Sequence, residues 1–324
     1  MLPAQEITLD TVRGRLAAQH WPAVDGPPVL CLHGWLDNSA SFVPLAQHLS
    51  GFNLVALDFP GHGRSQHHSP RDHYYLADYL WDVDAALDAL GWSGCHLLGH
   101  SMGAAVASLY ACAGPERVRS LICLDGLGPI TAPASGSAER LRRSLRSVRH
   151  GPRRKKVYAS VDDMIAARQS RSDLSHAAAR LICERSISEA RPAPAPSAGG
   201  RTGTSFEWSN DPALYWVSPT LLTEEQVVDC LQGIQAPVLS LTARPFAPFI
   251  DQEKVRARAA AVAHGQHEFV TGGHHFHMEH PQRTAQRVGR FILEQAGQEG
   301  RAGAAVPSQS SSGAQHAPTP TGQK

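Results

Sequence analysis

The sequence predicts an α/β protein: a mostly parallel central sheet flanked by helices, with a helical cap inserted after the fourth strand. Three observations predict it. Short apolar runs recur at Val29–Leu32, Leu54–Leu57, His96–Leu98 and Leu121–Leu124, each followed by Gly, His or Asp. Helical patterns lie between them, as at Leu76–Leu90, where apolar residues fall three and four apart. From about Thr131 to Gly233 the strand rhythm stops, and strands return only at Pro237–Leu241 and Glu268–Val270. Short buried strands alternating with helices imply a parallel sheet, because each parallel connection needs a crossover.

The expected division follows from this rhythm. Residues 1–130 and 234–297 form the core, closed by a helix over Arg283–Gln295. Residues 131–233 form the cap, with a Pro/Ala/Ser/Gly segment, Arg191–Gly203, reading as a flexible loop. Residues 298–324 are Gly, Ser, Pro, Gln and Ala without apolar period and are expected to be disordered.

The 324 residues carry a formal net charge of +1, so no overall field favours nucleic acid or membrane. The N-terminus lacks a basic stretch leading into an apolar run, and no apolar run is long enough to span a bilayer. Cys31, Cys95, Cys112, Cys123, Cys183 and Cys230 are widely spread, several within apolar runs. They read as buried free thiols, and a cytoplasmic setting is expected.

The chemistry enters at Leu97-Leu98-Gly99-His100-Ser101-Met102-Gly103, a strand running into G-x-S-x-G and then a helix at Ala104–Ala113. The glycines remove side chains where strand and helix crowd together, which permits a sharp turn that lifts the Ser101 hydroxyl clear of the sheet. The Met102 N–H then points at an oxygen that becomes negative during acyl transfer.

His33-Gly34-Trp35 after the first strand, Asp58-Phe59-Pro60-Gly61-His62-Gly63-Arg64-Ser65 after the second, and the Ser101 turn together resemble the α/β-hydrolase fold family. Leu32–Ser39 and His67–Leu76 resemble more narrowly its serine hydrolase-like proteins. The match covers about 7–130 and 234–296, and the cap matches much less clearly. The resemblance implies that the Trp35 N–H is the second oxyanion donor and that Asp58 shapes its own turn.

Gly272-Gly273-His274-His275-Phe276-His277-Met278-Glu279-His280-Pro281 resembles the family's G-H-x-x-x-x-E-x-P, with His274 as the base. Histidine suits that task because its ordinary pKa lies near neutrality. The four histidines do not match a metal site, since H-x-x-E-H would need His where Phe276 stands. His275, His277 and His280 read as loop or rim residues. No cofactor is implied.

The orienting acid departs from the pattern. Most of the family carries it after the strand placed here at Pro237–Leu241, but the chain continues Thr242-Ala243-Arg244-Pro245-Phe246-Ala247-Pro248 without an acid until Asp251. Asp125, at the end of Leu121–Leu124, is the favoured candidate, because many haloalkane dehalogenases of this fold carry their acid there. Those enzymes use an Asp nucleophile, whereas Ser101 implies acyl transfer. A turn or helix-cap role is the alternative for Asp125.

Arg140, Arg142, Arg143, Arg146, Arg149, Arg153, Arg154, Lys155 and Lys156 crowd one part of the cap. A solvated helix face is the plainer reading, and an anion site for a phosphate-bearing substrate or a protein partner the sharper one. The run lacks the aromatic platforms of a nucleic-acid site. Gly61-His62-Gly63 has Gln66 where a dinucleotide loop needs its third glycine. Trp208, Tyr215 and Trp216 either line an acyl pocket or pack the cap on the core. The expectation is therefore a carboxylesterase-like hydrolase of a small acyl substrate. Its rivals are an acyl-CoA thioesterase and a near-inactive ligand receptor on the same fold.

Overall fold

The computed structural model describes residues 3–68, 72–190, 205–248 and 250–304. Two strands that the apolar runs did not reveal open the chain, β1 (Gln5–Thr11) and β2 (Gly14–Trp21). They form an antiparallel hairpin in which Thr11 faces Gly14. Their signal is alternation, with Leu9, Leu16 and Ala18 inward and polar neighbours outward, which a search for unbroken apolar runs passes over. The four expected early strands follow as β3 (Pro28–Leu32), β4 (Asn53–Leu57), β5 (Cys95–His100) and β6 (Val118–Leu124). Between them stand α1 (Val43–Ala46), α2 (Asp78–Ala89) and α3 (Met102–Ala113).

The chain then leaves the sheet. The excursion holds α4 (Ser137–Arg149), α5 (Val161–Gln169), α6 (His176–Arg185), a ribbon of β7 (Ile187–Glu189) and β8 (Phe206–Trp208), and α7 (Glu224–Gln232). The Arg191–Gly203 loop falls outside the described residues. Serine caps start α5 and α6, where Ser160 and Ser175 accept hydrogen bonds from the Asp163 and Ala178 amides. Thr223 and Gln226 form a reciprocal capping box on α7.

The sheet resumes with β9 (Val238–Arg244), α8 (Gln252–Ala261) and β10 (Gly265–Thr271), and the chain closes with α9 (Phe276–Glu279) and α10 (Pro281–Ala304). Pro281 opens α10, where a missing N–H loses nothing. This helix extends past Gly297 into the segment expected to lack structure, since each added residue gains a bond once a helix is formed. Residues 305–324 lie outside the described residues.

The eight strands order as β1-β2-β4-β3-β5-β6-β9-β10. β2 is antiparallel to its neighbours, and β4, β3, β5, β6, β9 and β10 run parallel. Helices cover both faces. Val83 and Leu87 of α2, Val106 and Tyr110 of α3, and Val227 and Leu231 of α7 pack on one side. Leu45 of α1 and Val288, Phe291 and Ile292 of α10 pack on the other. Each such fully buried side chain contributes roughly 1.5–3 kcal/mol of transfer free energy. The excursion has a small core of its own, with Met164, Ile165, Leu174 and Ile182 packed around Met278 from α9.

All six cysteines are free, and Cys31, Cys95, Cys123 and Cys183 are buried. Burial pushes the thiols of Cys95, Cys123 and Cys183 up to about 12. Among the described residues no helix is long and apolar enough to cross a membrane.

Candidate active site

The site lies where parallel strands end, the position at which open α/β sheets receive ligands. Ser101 follows β5, the inner strand between β3 and β6. Its backbone adopts φ 51°, ψ −114°, a conformation that L residues rarely take. Two glycines permit it. A Cβ on Gly99 would lie 2.5 Å from the Ala104 backbone, and one on Gly103 would lie 2.0 Å from the Leu32 carbonyl oxygen. The turn is held by the Ser101 N–H, which donates to Leu124 O at 3.0 Å. Met102 opens α3, where first-turn amides have no partner within the helix.

The loop after β3 closes over this turn. A Cβ on Gly34 would lie 3.3 Å from the Ser101 Cβ, so the loop backbone passes directly beside the serine. Asp37 N–H donates to Gly34 O at 3.1 Å, making a tight turn around Trp35 and Leu36. His33 supports it from below. Its Nε2 accepts from Phe59 N–H at 3.0 Å, which leaves Nδ1 to donate to Gly34 O at 2.7 Å. Burial keeps His33 neutral by lowering its pKa. Trp35 itself is half exposed and meets Tyr215 edge-on at 5.4 Å.

Asp125 follows β6, its backbone also at positive φ (49°). Its N–H continues the ladder by donating to Leu241 O at 2.8 Å. Its carboxylate is buried, and the two oxygens divide their work. Oδ1 accepts from Ala243 N–H at 2.8 Å, and Oδ2 meets His274 Nδ1 at 2.6 Å. Gly126 is required beside it, since a Cβ there would lie 2.9 Å from Ser101 O. Asp251 stands elsewhere, capping α8 by accepting from the Glu253 and Lys254 amides. The structure therefore brings Asp125, not Asp251, to His274.

His274 follows β10. Its carbonyl oxygen pairs with His100 Nε2 at 2.9 Å, and the two rings pack 4.7 Å apart. The Nδ1 contact with Asp125 makes Nδ1 the protonated nitrogen and Nε2 the basic one.

The neighbouring histidines correct the sequence reading. His280 is exposed, but His275 and His277 are buried and do not lie on a rim. His275, the residue that caps α9, and His277 within it both turn inward against His100, whose ring lies 5.1 Å from His275 and 4.2 Å from His277. Burial drives His277 down to about 3 and His100 well below its ordinary range. His275 goes the other way. Burial opposes its charge, but contacts with Asp173 Oδ1 (2.7 Å) and Asp37 Oδ2 (3.6 Å) hold it up to about 9. Asp37 also pairs with Arg168. Thus a charged lattice ties the loop after β3, the α5–α6 connection and the His274 loop together. The four-histidine string hinted at it, while the distant Asp37, Arg168 and Asp173 gave no local signal. Among the described residues no group of three or more His, Cys, Asp or Glu is placed to hold a metal ion.

Asp58 shapes its turn by accepting from Arg64 N–H at 2.9 Å and Ser39 N–H at 2.7 Å. It also receives Arg185 from the end of α6. Trp208 packs near Tyr158 within the ribbon region, and Trp216 packs on His73.

The fold agrees with comparisons to known proteins. The pattern of the α/β hydrolase fold family matches residues 27–281, and the chain belongs to that family. It is 29% identical over 309 residues to serine hydrolase-like protein 2 of Homo sapiens, covering 89% of this chain and 93% of that protein. A hypothetical protein from Pseudomonas aeruginosa PAO1 is 34% identical in its crystal structure, with a TM-score of 0.79 over 89% of this chain and 99% of that one. The thioesterase domain from the curacin biosynthetic pathway, at 23% identity and a TM-score of 0.73, covers 90% of this chain and all of its own, and shares the fold.

Proposed function

We propose that the protein is a serine hydrolase that cleaves a carboxylic ester or related acyl substrate through an acyl-enzyme. Residues 131–233 act as its cap. Ser101 is the nucleophile, His274 the base and Asp125 the acid that orients it. The observation that carries this reading is the 2.6 Å contact of Asp125 Oδ2 with His274 Nδ1, on the sheet end that bears the strained Ser101 turn.

His274 Nε2 takes the Ser101 proton as Oγ bonds to the substrate carbonyl carbon. The N–H groups of Trp35 and Met102 hold the oxygen that becomes negative. His274 then gives the proton to the leaving group, and the bond to it breaks. Water, deprotonated by His274, attacks the acyl carbon, and His274 returns the proton to Ser101 Oγ as the acyl bond breaks and the acid leaves. Asp125 holds the Nδ1–H tautomer and stabilises the imidazolium formed at each transfer. The cycle requires no cofactor.

Intact mass after fluorophosphonate treatment tests the reading. One adduct is expected on the wild type and none on Ser101→Ala, with ester turnover falling about 10³-fold or more in Ser101→Ala and His274→Ala. An unlabelled wild type would reject it in favour of a ligand receptor on this fold.

A further inference from the structure

The nine cations between Arg140 and Lys156 have no part in that cycle. Over residues 137–156 they face a single acid, Glu139, in a chain whose formal net charge is only +1. Glu139 pairs with Arg142 and Arg146, and Lys155 pairs with Glu207. Arg140, Arg143, Arg149, Arg153, Arg154 and Lys156 have no carboxylate partner among the described residues. The positive charge is therefore local and largely uncompensated.

The helix that carries it is also turned in an unusual way. A surface helix ordinarily directs its apolar stripe at the core. In α4 only Ser144 is buried, while Leu141 and Leu145 are each 52% exposed. At 100° per residue the two leucines share one face, and Arg142 and Arg149 border it on the solvent side. The leucines line an open groove of about 400 Å³ with His73, Tyr75, Val148 and Pro219. Exposed leucines flanked by arginines form the pattern of a helix lying in the plane of a membrane interface.

This helix is tied to the mouth of the active site. Val217 N–H donates to Ser147 Oγ of α4 at 3.2 Å, Trp216 packs on His73 at 5.1 Å, and Tyr215 meets Trp35 at 5.4 Å. The segment from Tyr215 to Val217 thus runs from the cationic helix to the half-exposed Trp35, the neighbour of the Gly34 that lies against Ser101.

We propose that α4 and the basic segment after it dock the protein on an anionic phospholipid surface. Leu141 and Leu145 enter the headgroup layer, the arginines meet lipid phosphates, and the Trp35–Tyr215 mouth is held near the surface. Charge complementarity selects an anionic lipid, and the exposed leucines favour a lipid layer over a purely polar partner.

Co-sedimentation of the full chain with vesicles tests this. Vesicles of phosphatidylcholine with phosphatidylglycerol should bind the protein about tenfold or more tightly than phosphatidylcholine alone, with binding lost in high salt. Leu141→Ser with Leu145→Ser, which leaves charge untouched, and Arg142→Glu with Arg149→Glu, the two arginines bordering that face, should each weaken binding about tenfold or more. Both pairs are exposed, so the melting temperature and fluorophosphonate labelling should stay at wild-type values. Absence of binding to the anionic vesicles, equal binding to both compositions, or binding indifferent to the leucine pair would overturn the proposal. The last outcome would identify a polar patch for an acidic protein partner instead.

Discussion

Ser101 and Asp125 both hold positive φ, and each is the residue directly after an inner strand. Such backbone costs about 1–3 kcal/mol and persists only where its surroundings enforce it. Here the enforcement is mutual: the Gly126 backbone lies against Ser101 O, and Ser101 N–H bonds to the last residue of β6. The Ser101 and Asp125 turns are one packed unit, so their separation is set before any ligand arrives. Asp125→Asn should therefore keep the turn, through the oxygen that accepts from Ala243, while spoiling the His274 contact. Ester turnover should fall about 10²–10⁴-fold with little change in melting temperature. Asp251→Asn should change turnover less than about twofold, because asparagine also caps helices. Equal losses in the two variants would remove Asp125 from the triad.

At the level of elements, the excursion between β6 and β9 is fastened to the sheet by charge as much as by apolar contact. Arg185, at the end of α6, reaches Asp58 at 2.9 Å and Glu6 at 2.7 Å and is almost fully buried. Removing a buried cation strands its partner, which is far more damaging than the net worth of the pair. Arg185→Met should lower unfolding free energy by about 3–5 kcal/mol, read from urea midpoints. Adding Asp58→Asn should restore part of the loss by relieving the stranded charge. A drop below about 1 kcal/mol would show that the end of α6 is held by packing alone.

For the whole molecule, burial of histidine sets the dependence of stability on pH. Burial lowers His33 and His100, takes His62 and His277 to about 3 and His96 to about 4. Each is neutral when folded but takes up a proton when unfolded below about 6.5. Their stabilisation is present above that value and is lost as pH falls, by up to about 1.4 kcal/mol per pH unit for each histidine. His275 has the opposite sign. Burial opposes its proton, but Asp173 and Asp37 hold it to about 9, so its contribution is full below 6.5 and fades as pH rises through 9. The melting temperature should peak near pH 6.5 and fall on both sides. His275→Gln should destabilise the protein near pH 6 and approach wild type above pH 9. A wild-type curve still rising at pH 9 would refute the charged lattice.

What the sequence determined by itself is what local chemistry can encode. Four apolar runs and the helices between them were enough for a parallel sheet, and the α/β hydrolase fold bears that out. G-x-S-x-G announced the turn because only glycine lets β5 and α3 approach so closely. The terminal-loop motif makes His274 a candidate and the strand end makes Asp125 one, and the fold sets the two side chains in contact. The opening hairpin was missed because alternation in β1 and β2 buries only every second residue. Long-range pairing left no mark along the chain. Tertiary structure decided that Asp125 rather than Asp251 reaches His274: Asp125 directly follows β6 and meets the histidine, while Asp251 stands well past the end of β9 and caps α8. It also decided that His275 and His277 turn inward. Asp37, Arg168 and Asp173 meet His275 from segments far apart in sequence, and the free energy of a buried charge depends on who surrounds it, not on its neighbours along the chain.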